Sequence, residues 1–312
     1  MRNTFINELE KLAVVDPSIY LLTGDLGFGV LNSFSENLPK QFINVGISEQ
    51  NMAAVAAGLA LEGNTVYTYS IGNFPSLRCL EQIRNDICYP NANVKIISVG
   101  AGLSYGQLGM SHHATEDMAI MRALPNMRVF SPADPQEAIA VLKEVSQVPG
   151  PAYIRLGKGR EANNAPDKTI TSIAMPREIV SGTEVCLLTT GAIASEAVKA
   201  AQILTEDDIS VAVYTLSTIK PLDADVIKKL AKQFKLLVSI EEHNIIGGLG
   251  SAIAEVTAGI SGTHAPLLCL GMKDQYSSIV GSHEFLRDYY GLSAEKLASR
   301  ICDRLEAIAC KQ

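Results

Sequence analysis

The residues with chemical reach cluster in the first half of the chain. Glu49 stands in Asn44-Val-Gly-Ile-Ser-Glu-Gln-Asn51, directly ahead of Met52-Ala-Ala-Val-Ala-Ala-Gly-Leu-Ala-Leu61. That run of small apolar residues predicts a helix with almost no polar face, and such a helix is normally buried. Ser48 is placed to cap it, its hydroxyl accepting from a free N–H of the first turn. A carboxylate at a helix start is favoured by the dipole by about 0.3–1 kcal/mol, which is a sufficient structural role. If the helix is buried, its start is near-buried too. Burial then penalises the charge, and the acid needs a partner. Both roles stay open on local pattern alone. Further along, His112 and His113 are adjacent after a glycine-rich turn. Adjacent imidazoles on a loop suit a functional site better than core packing, because loops on α/β scaffolds carry function.

Other candidates are weaker. Asp25 in Thr23-Gly-Asp-Leu-Gly27 fits an Asx turn as well as a contact to another chain. His243, in Glu241-Glu-His-Asn-Ile-Ile-Gly-Gly-Leu-Gly250, suits a structural or interfacial role. Gly247, Gly248 and Gly250 suggest a phosphate loop, but a short glycine cluster is weak support for one.

Composition removes several classes of function. A net charge of −7 gives no basic footprint for nucleic acid. The longest apolar run, Met52–Leu61, is too short to cross a bilayer. The first residues, MRNTFINELEKL, are charged and amphipathic, unlike a signal peptide. The six cysteines (79, 88, 186, 269, 302 and 310) form no CxxC pair, as expected of reduced thiols in a cytoplasmic protein. No metal site is expected from this chain's own ligands.

Positioning these groups requires a scaffold. A length of 312 residues with 47% apolar content suits about two globular domains. Strands are expected at 20–22, 42–45, 65–69, 94–99, 128–130 and 153–156. Helices at 4–14, 51–61, 77–88 and 135–145 fall between them. Such alternation predicts an α/β domain with a mostly parallel sheet. The pattern dissolves from 161 to 181 into an Asn- and Pro-containing linker. A second alternation follows, with strands at 185–191, 210–215 and 236–240 and helices at 195–204, 223–233, 251–258 and 293–309, the last with Ser293 as N-cap. The expected organisation is a domain over 1–160, a linker over 161–181 and a second domain over 182–312.

Taken together, GISEQNMAAVAAGLA, EQIRND, NVKIISVGAGLSYGQLGMSHHATEDMAIMRALPNMRVFSPADPQEA, EEHNIIGGLGSAIAE and GLSAEKLASRICDRL resemble, in order, the pyrimidine-binding and C-terminal domains of the transketolase family. The resemblance spans nearly the whole chain. It implies thiamin diphosphate as cofactor, with the Glu49 carboxylate on the aminopyrimidine N1′, favouring the imino form of the 4′ nitrogen. It implies that Phe74 stacks on the pyrimidine. Ile71 and Leu77 stand where relatives often carry aromatics, which makes the pocket atypical. His112 matches a histidine that faces the reacting sugar hydroxyls, and His113 stands where Gln is usual. Leu108 replaces an Asp that reads a substrate hydroxyl.

Of the family's phosphate grip only Arg2 matches. The other positions fall on Gly29, Gly100 and Lys158, and lysine lacks the planar fork of arginine. Arg155 either assists or pairs with an acid. This erosion implies a substrate other than the usual pentose phosphates, a nucleotide-linked sugar among them.

The family's diphosphate-binding signature, Gly-Asp-Gly followed by Asn, which holds Mg²⁺, does not occur in the chain. The resemblance therefore implies the C-terminal subunit of a split transketolase. A partner subunit would carry that motif, in an α2β2 heterotetramer with a β–β homodimer core. The expected reaction moves a two-carbon ketol unit from a ketose to an aldose-type acceptor. Two alternatives stay open: the E1 β subunit of a 2-oxo-acid dehydrogenase, and a non-catalytic assembly or regulatory subunit of the same fold.

Overall fold

A computed structural model describes residues 1–159, 161, 163–164, 170 and 172–310. The first sheet is built from β1 (Ile19–Thr23), β2 (Phe42–Asn44), β3 (Thr65–Ile71), β4 (Val94–Val99), β5 (Arg128–Phe130) and β6 (Ala152–Leu156). The second uses β7 (Arg177–Val180), β8 (Val185–Thr189), β9 (Val211–Thr215), β11 (Leu236–Asn244) and β12 (Leu267–Met272), while β10 (Thr218–Lys220) crosses back to the first. The orders are β10-β5-β6-β4-β3-β1-β2 and β12-β11-β8-β9-β7. All pairings are parallel except those of β10 with β5 and β7 with β9. The two α/β layers expected from the sequence are therefore present.

The central strands β4 and β8, VKIISV and VCLLT, are buried along their whole length. Parallel strands covered by helices on both faces read as largely apolar runs for this reason, and the buried Lys95 within β4 is met by the Val148 and Gly150 carbonyls. One core unites Met52, Ala56, Ile83, Met118 and Val129 of the first half with Leu188, Leu216, Ile227 and Phe234 of the second. Fully burying each large aliphatic contributes about 1.5–3 kcal/mol. The halves are also joined by hydrogen bonds: Ser131 N–H donates to the Ser217 carbonyl at 2.7 Å, and Lys220 Nζ to the Arg122 carbonyl at 2.9 Å. No helix among the described residues is long and apolar enough to cross a membrane.

Three local expectations change. Of the stretch 161–181 read as linker, residues 162, 165–169 and 171 lie outside the described residues, and Arg177–Val180 is an edge strand on β9. Its register slips between Glu178 and Val180, so its alternation is too short to read as a strand. The helix expected at 77–88 starts only at Leu80, because Asn73 draws the N–H groups of Leu77 and Arg78 into a turn. It then widens into a π turn over Ile83–Cys88. The helix Glu49–Leu61 forms as expected, but neither Ser48 nor Ser293 makes a side-chain cap bond. Nor is that helix buried all round. It packs Met52, Ala53, Ala56, Ala57 and Ala60 inward and leaves Asn51, Ala54, Gly58 and Leu61 bare as a stripe.

Candidate active site

The strand order dictates where a ligand crevice opens. The chain leaves β1 toward β2 on one side, while β3 leads toward β4 on the other. Ligands of open α/β sheets bind outside the carboxyl ends of such a pair of strands. The turn after β1 carries Gly24 and Asp25, and the turn after β3 carries Gly72, Asn73 and Phe74. Glu49 opens the crossover helix that runs from β2 to β3 and sits at this crevice. A side chain at Gly24 would lie 3.5 Å from the Glu49 Cγ.

Glu49 is 2% exposed. Its Oε2 accepts from Arg78 Nη1 at 2.7 Å, and that arginine side chain is 45% exposed. The same guanidinium lies over the Phe74 ring, 4.5 Å from its centroid. The other neighbour of Phe74 is His112, edge-on with centroids 5.2 Å apart, and Tyr105 stands 6.1 Å beyond His112. Lys158 Nζ covers Tyr105 at 4.7 Å. A continuous line thus runs Glu49, Arg78, Phe74, His112, Tyr105, Lys158. Ile71 ends β3 and Leu77 follows Phe74 on the same turn, both half-buried.

The loop carrying His112 is an excursion closed at its base. Gly102 and Ala114 exchange backbone hydrogen bonds of 3.0 and 2.9 Å as an isolated bridge. Two short 3₁₀ turns, Gly106–Leu108 and Met110–His112, shape the excursion. The His112 Nδ1 pairs with the Ser111 hydroxyl at 3.0 Å, and burial pushes its pKa below the ordinary value. It is therefore neutral and able to accept a proton near pH 7. Leu108, in the place of the expected carboxylate, is exposed.

Arg2 and Lys158 are brought together in one cleft between the domains, with a volume of about 1050 Å³. Lys199, His283 and Arg287 reach it from the second domain, and Glu161 adds an opposing charge. Arg2 also bonds the Tyr69 side chain, whose phenol is held up by burial.

Two expected substrate contacts do not reach this surface. Arg155 is buried, pairs with Asp117 at 2.8 Å and donates to the Ala114 and Glu242 carbonyls. A charge in the middle of β6 must be matched internally, so it braces the loop base instead of meeting substrate. His113 is 2% exposed and turned inward, and burial lowers its pKa. The exposed Asp25 adopts a left-handed backbone (φ 57°) and exchanges hydrogen bonds with the Asn44 side chain. His243 is buried, its Nδ1 on the Asn244 carbonyl at 2.7 Å, in keeping with a structural role.

The glycine cluster holds no open anion site. Glu241 fills it, accepting from Leu249 and Gly250 N–H at 2.7 and 2.8 Å, and a side chain at Gly248 would collide with that carboxylate. Arg78 and Tyr105 escaped the sequence reading. The Phe74/Arg78 spacing of four residues was a usable signal, because an aromatic and a cation at that interval can meet on one turn.

Residues 1–161 match the model of the transketolase pyrimidine-binding domain, and residues 177–297 that of the transketolase C-terminal domain. The chain belongs to the transketolase family. Within it, the chain corresponds to the C-terminal section of a split, partner-dependent transferase. A Methanocaldococcus jannaschii protein named as a candidate transketolase C-terminal section is 37% identical, covering 98% of this chain and 96% of its own. One of the apulose-4-phosphate transketolase subunits of Phocaeicola vulgatus is 32% identical over 94% of both chains. A solved structure described as a split-gene transketolase, inactive β4 tetramer, superposes with a TM-score of 0.85 at 34% identity, covering 97% and 96% of the two chains.

Proposed function

We propose that this chain is the pyrimidine-gripping half of a thiamin-diphosphate transketolase that moves a two-carbon ketol unit between sugars bearing an anionic group. The observation that carries the reading is the line from buried Glu49 through Phe74 to His112 at the crevice between β1 and β3. A planar, cationic, proton-donating group already lies against both Glu49 and Phe74, in the form of the Arg78 guanidinium. A protonated aminopyrimidine has the same shape and donor character, so the residues fit that part of the cofactor.

When bound, thiamin diphosphate supplies the carbon nucleophile that carries the ketol unit. Glu49 holds the proton at the ring nitrogen. Phe74, flanked by Ile71 and Leu77, gives the ring an apolar wall. Neutral His112 takes and returns a proton at a substrate hydroxyl. Arg2 and Lys158 face the anionic end of the sugar across the interdomain cleft. The lack of a Gly-Asp-Gly signature in this sequence supports giving diphosphate and Mg²⁺ binding to a partner subunit. The bare stripe Asn51, Ala54, Gly58, Leu61, next to exposed Ile47, suits a second copy of this chain at the core of an α2β2 assembly.

The test is reconstitution with a subunit carrying Gly-Asp-Gly and Asn, followed by a screen of ketose donors and aldose, sugar-phosphate and nucleotide-sugar acceptors. Ketol transfer by the mixture and none by either subunit alone is the expected result. Decarboxylation of a 2-oxo acid without ketol transfer would replace this reading with the dehydrogenase one. A mixture that binds no thiamin diphosphate would leave only an assembly role.

A further inference from the structure

Arg78 makes two contacts that matter here, and both involve groups that the proposed function gives to the cofactor. Its Nη1 lies 2.7 Å from Glu49 Oε2, and its guanidinium plane covers Phe74 at 4.5 Å. Its side chain is 45% exposed while that of Glu49 is 2% exposed, so the arginine is the movable partner. It is anchored to a turn, not a long helix: its N–H reaches the Asn73 carbonyl at 3.4 Å, and regular helix begins only at Leu80. A buried carboxylate without a counter-charge is costly, so the lone chain needs this pair. A ring entering between Glu49 and Phe74 needs the same space and the same lone pair.

We propose that Arg78 is a resident placeholder for the aminopyrimidine, resting on the proposed cofactor reading but adding a competitor to it. In the chain without cofactor, the guanidinium satisfies Glu49 and covers the Phe74 face, which keeps the pocket apart from solvent. Cofactor entry exchanges one planar donor for another. The arginine swings outward through its exposed side, and no covalent change is involved. Measured cofactor affinity then contains the cost of displacing Arg78. Because the pair also neutralises Glu49 before assembly, the chain can fold without its partner.

The experiment is calorimetric titration of thiamin diphosphate into the partner-reconstituted complex, wild type against Arg78→Met and Arg78→Lys. Methionine keeps bulk over Phe74 but has no charge or donor for Glu49. Arg78→Met is expected to bind the cofactor about tenfold more tightly. Arg78→Lys keeps a point charge without the planar fork and is expected to fall between the two. Should Arg78→Met fail to fold, Arg78→Lys alone carries the comparison, again with tighter binding expected. A structure of the loaded wild-type complex is expected to show the guanidinium off Glu49. Wild-type binding with variants that bind equally or more weakly overturns the placeholder alone. So does a loaded structure with Arg78 still bonded to Glu49. A wild-type complex that binds no thiamin diphosphate overturns the cofactor reading and the placeholder together.

Discussion

Glu49 and Glu242 each hold a carboxylate within hydrogen-bond reach of one arginine, at 2.7 Å from Arg78 and 2.5 Å from Arg287. Around Glu242 the other carboxylate oxygen is also engaged twice, by Leu103 N–H at 2.6 Å and His283 Nε2 at 2.7 Å. Around Glu49, Arg78 is the one side-chain partner among the described residues, and it is half in solvent. The first arrangement ties the loop that carries His112 to the second domain and leaves nothing for a ligand. The second, with its one partner half in solvent, leaves the carboxylate available once that partner moves. Enclosure separates a carboxylate that holds structure from the one that the proposed function uses for chemistry, although both are buried and both meet arginine.

The largest effect that would sharpen this contrast is on turnover. In the reconstituted enzyme Glu49→Gln is expected to lower kcat by about 10²–10⁴-fold, with the unfolding midpoint nearly unchanged. Undiminished turnover at saturating cofactor would erase the distinction. Next comes stability: Arg287→Ala strands the buried Glu242 charge and is expected to cost about 3–5 kcal/mol in denaturant unfolding. The same removal at Arg78 should cost less, because that arginine is half in solvent and not enclosed with its carboxylate.

A third effect is pH dependence. Arg287 and His283 hold the Glu242 carboxyl well below its ordinary value, despite burial that pushes the other way. Its stabilisation is complete above the unfolded carboxyl pKa of about 4.3 and is lost as pH falls through and below that value. His243, lowered to about 4 by burial, adds loss of stability as pH falls from about 6.5 toward 4. Glu241 next door opposes both. Burial raises it to about 7, so its contribution declines as pH rises from about 4.3 to 7. Glu242→Gln should remove the steepest part of the acid limb in thermal melts across this range. Smallest in stability terms is His112→Asn, expected within about 0.5 kcal/mol of wild type by unfolding. Its kcat/KM should still fall by about 10²-fold in the transfer assay.

The sequence showed Glu49 and His112 plainly because each lies in a long pattern: an unbroken run of small apolar residues after one, a glycine-bounded loop around the other. Most strands were legible because β4, β6 and β8 bury both faces and read as short, largely apolar runs, broken only by single polar or charged residues such as Lys95, Ser98 and Arg155. β7, β10 and β12 were not: all three are edge strands whose partners are fixed by tertiary pairing, and the first two are only four and three residues long. Whether Arg155 assists or pairs with an acid stayed open in the sequence because Asp117, its partner, is 38 residues away and no local pattern links them. The apolar character of helix Glu49–Leu61 promised complete burial, and a single chain delivers one face. Small side chains suit packing within a chain and between chains equally well.

β10 lies in the second half of the chain yet closes the edge of the first sheet beside β5. During synthesis the ribosome must therefore release residue 220 before the first sheet has its last strand. A product cut after the first domain would carry β5 as an uncovered edge, open to pairing with another molecule. Cutting this gene at its apparent domain boundary would yield an aggregation-prone fragment instead of a minimal cofactor-binding module.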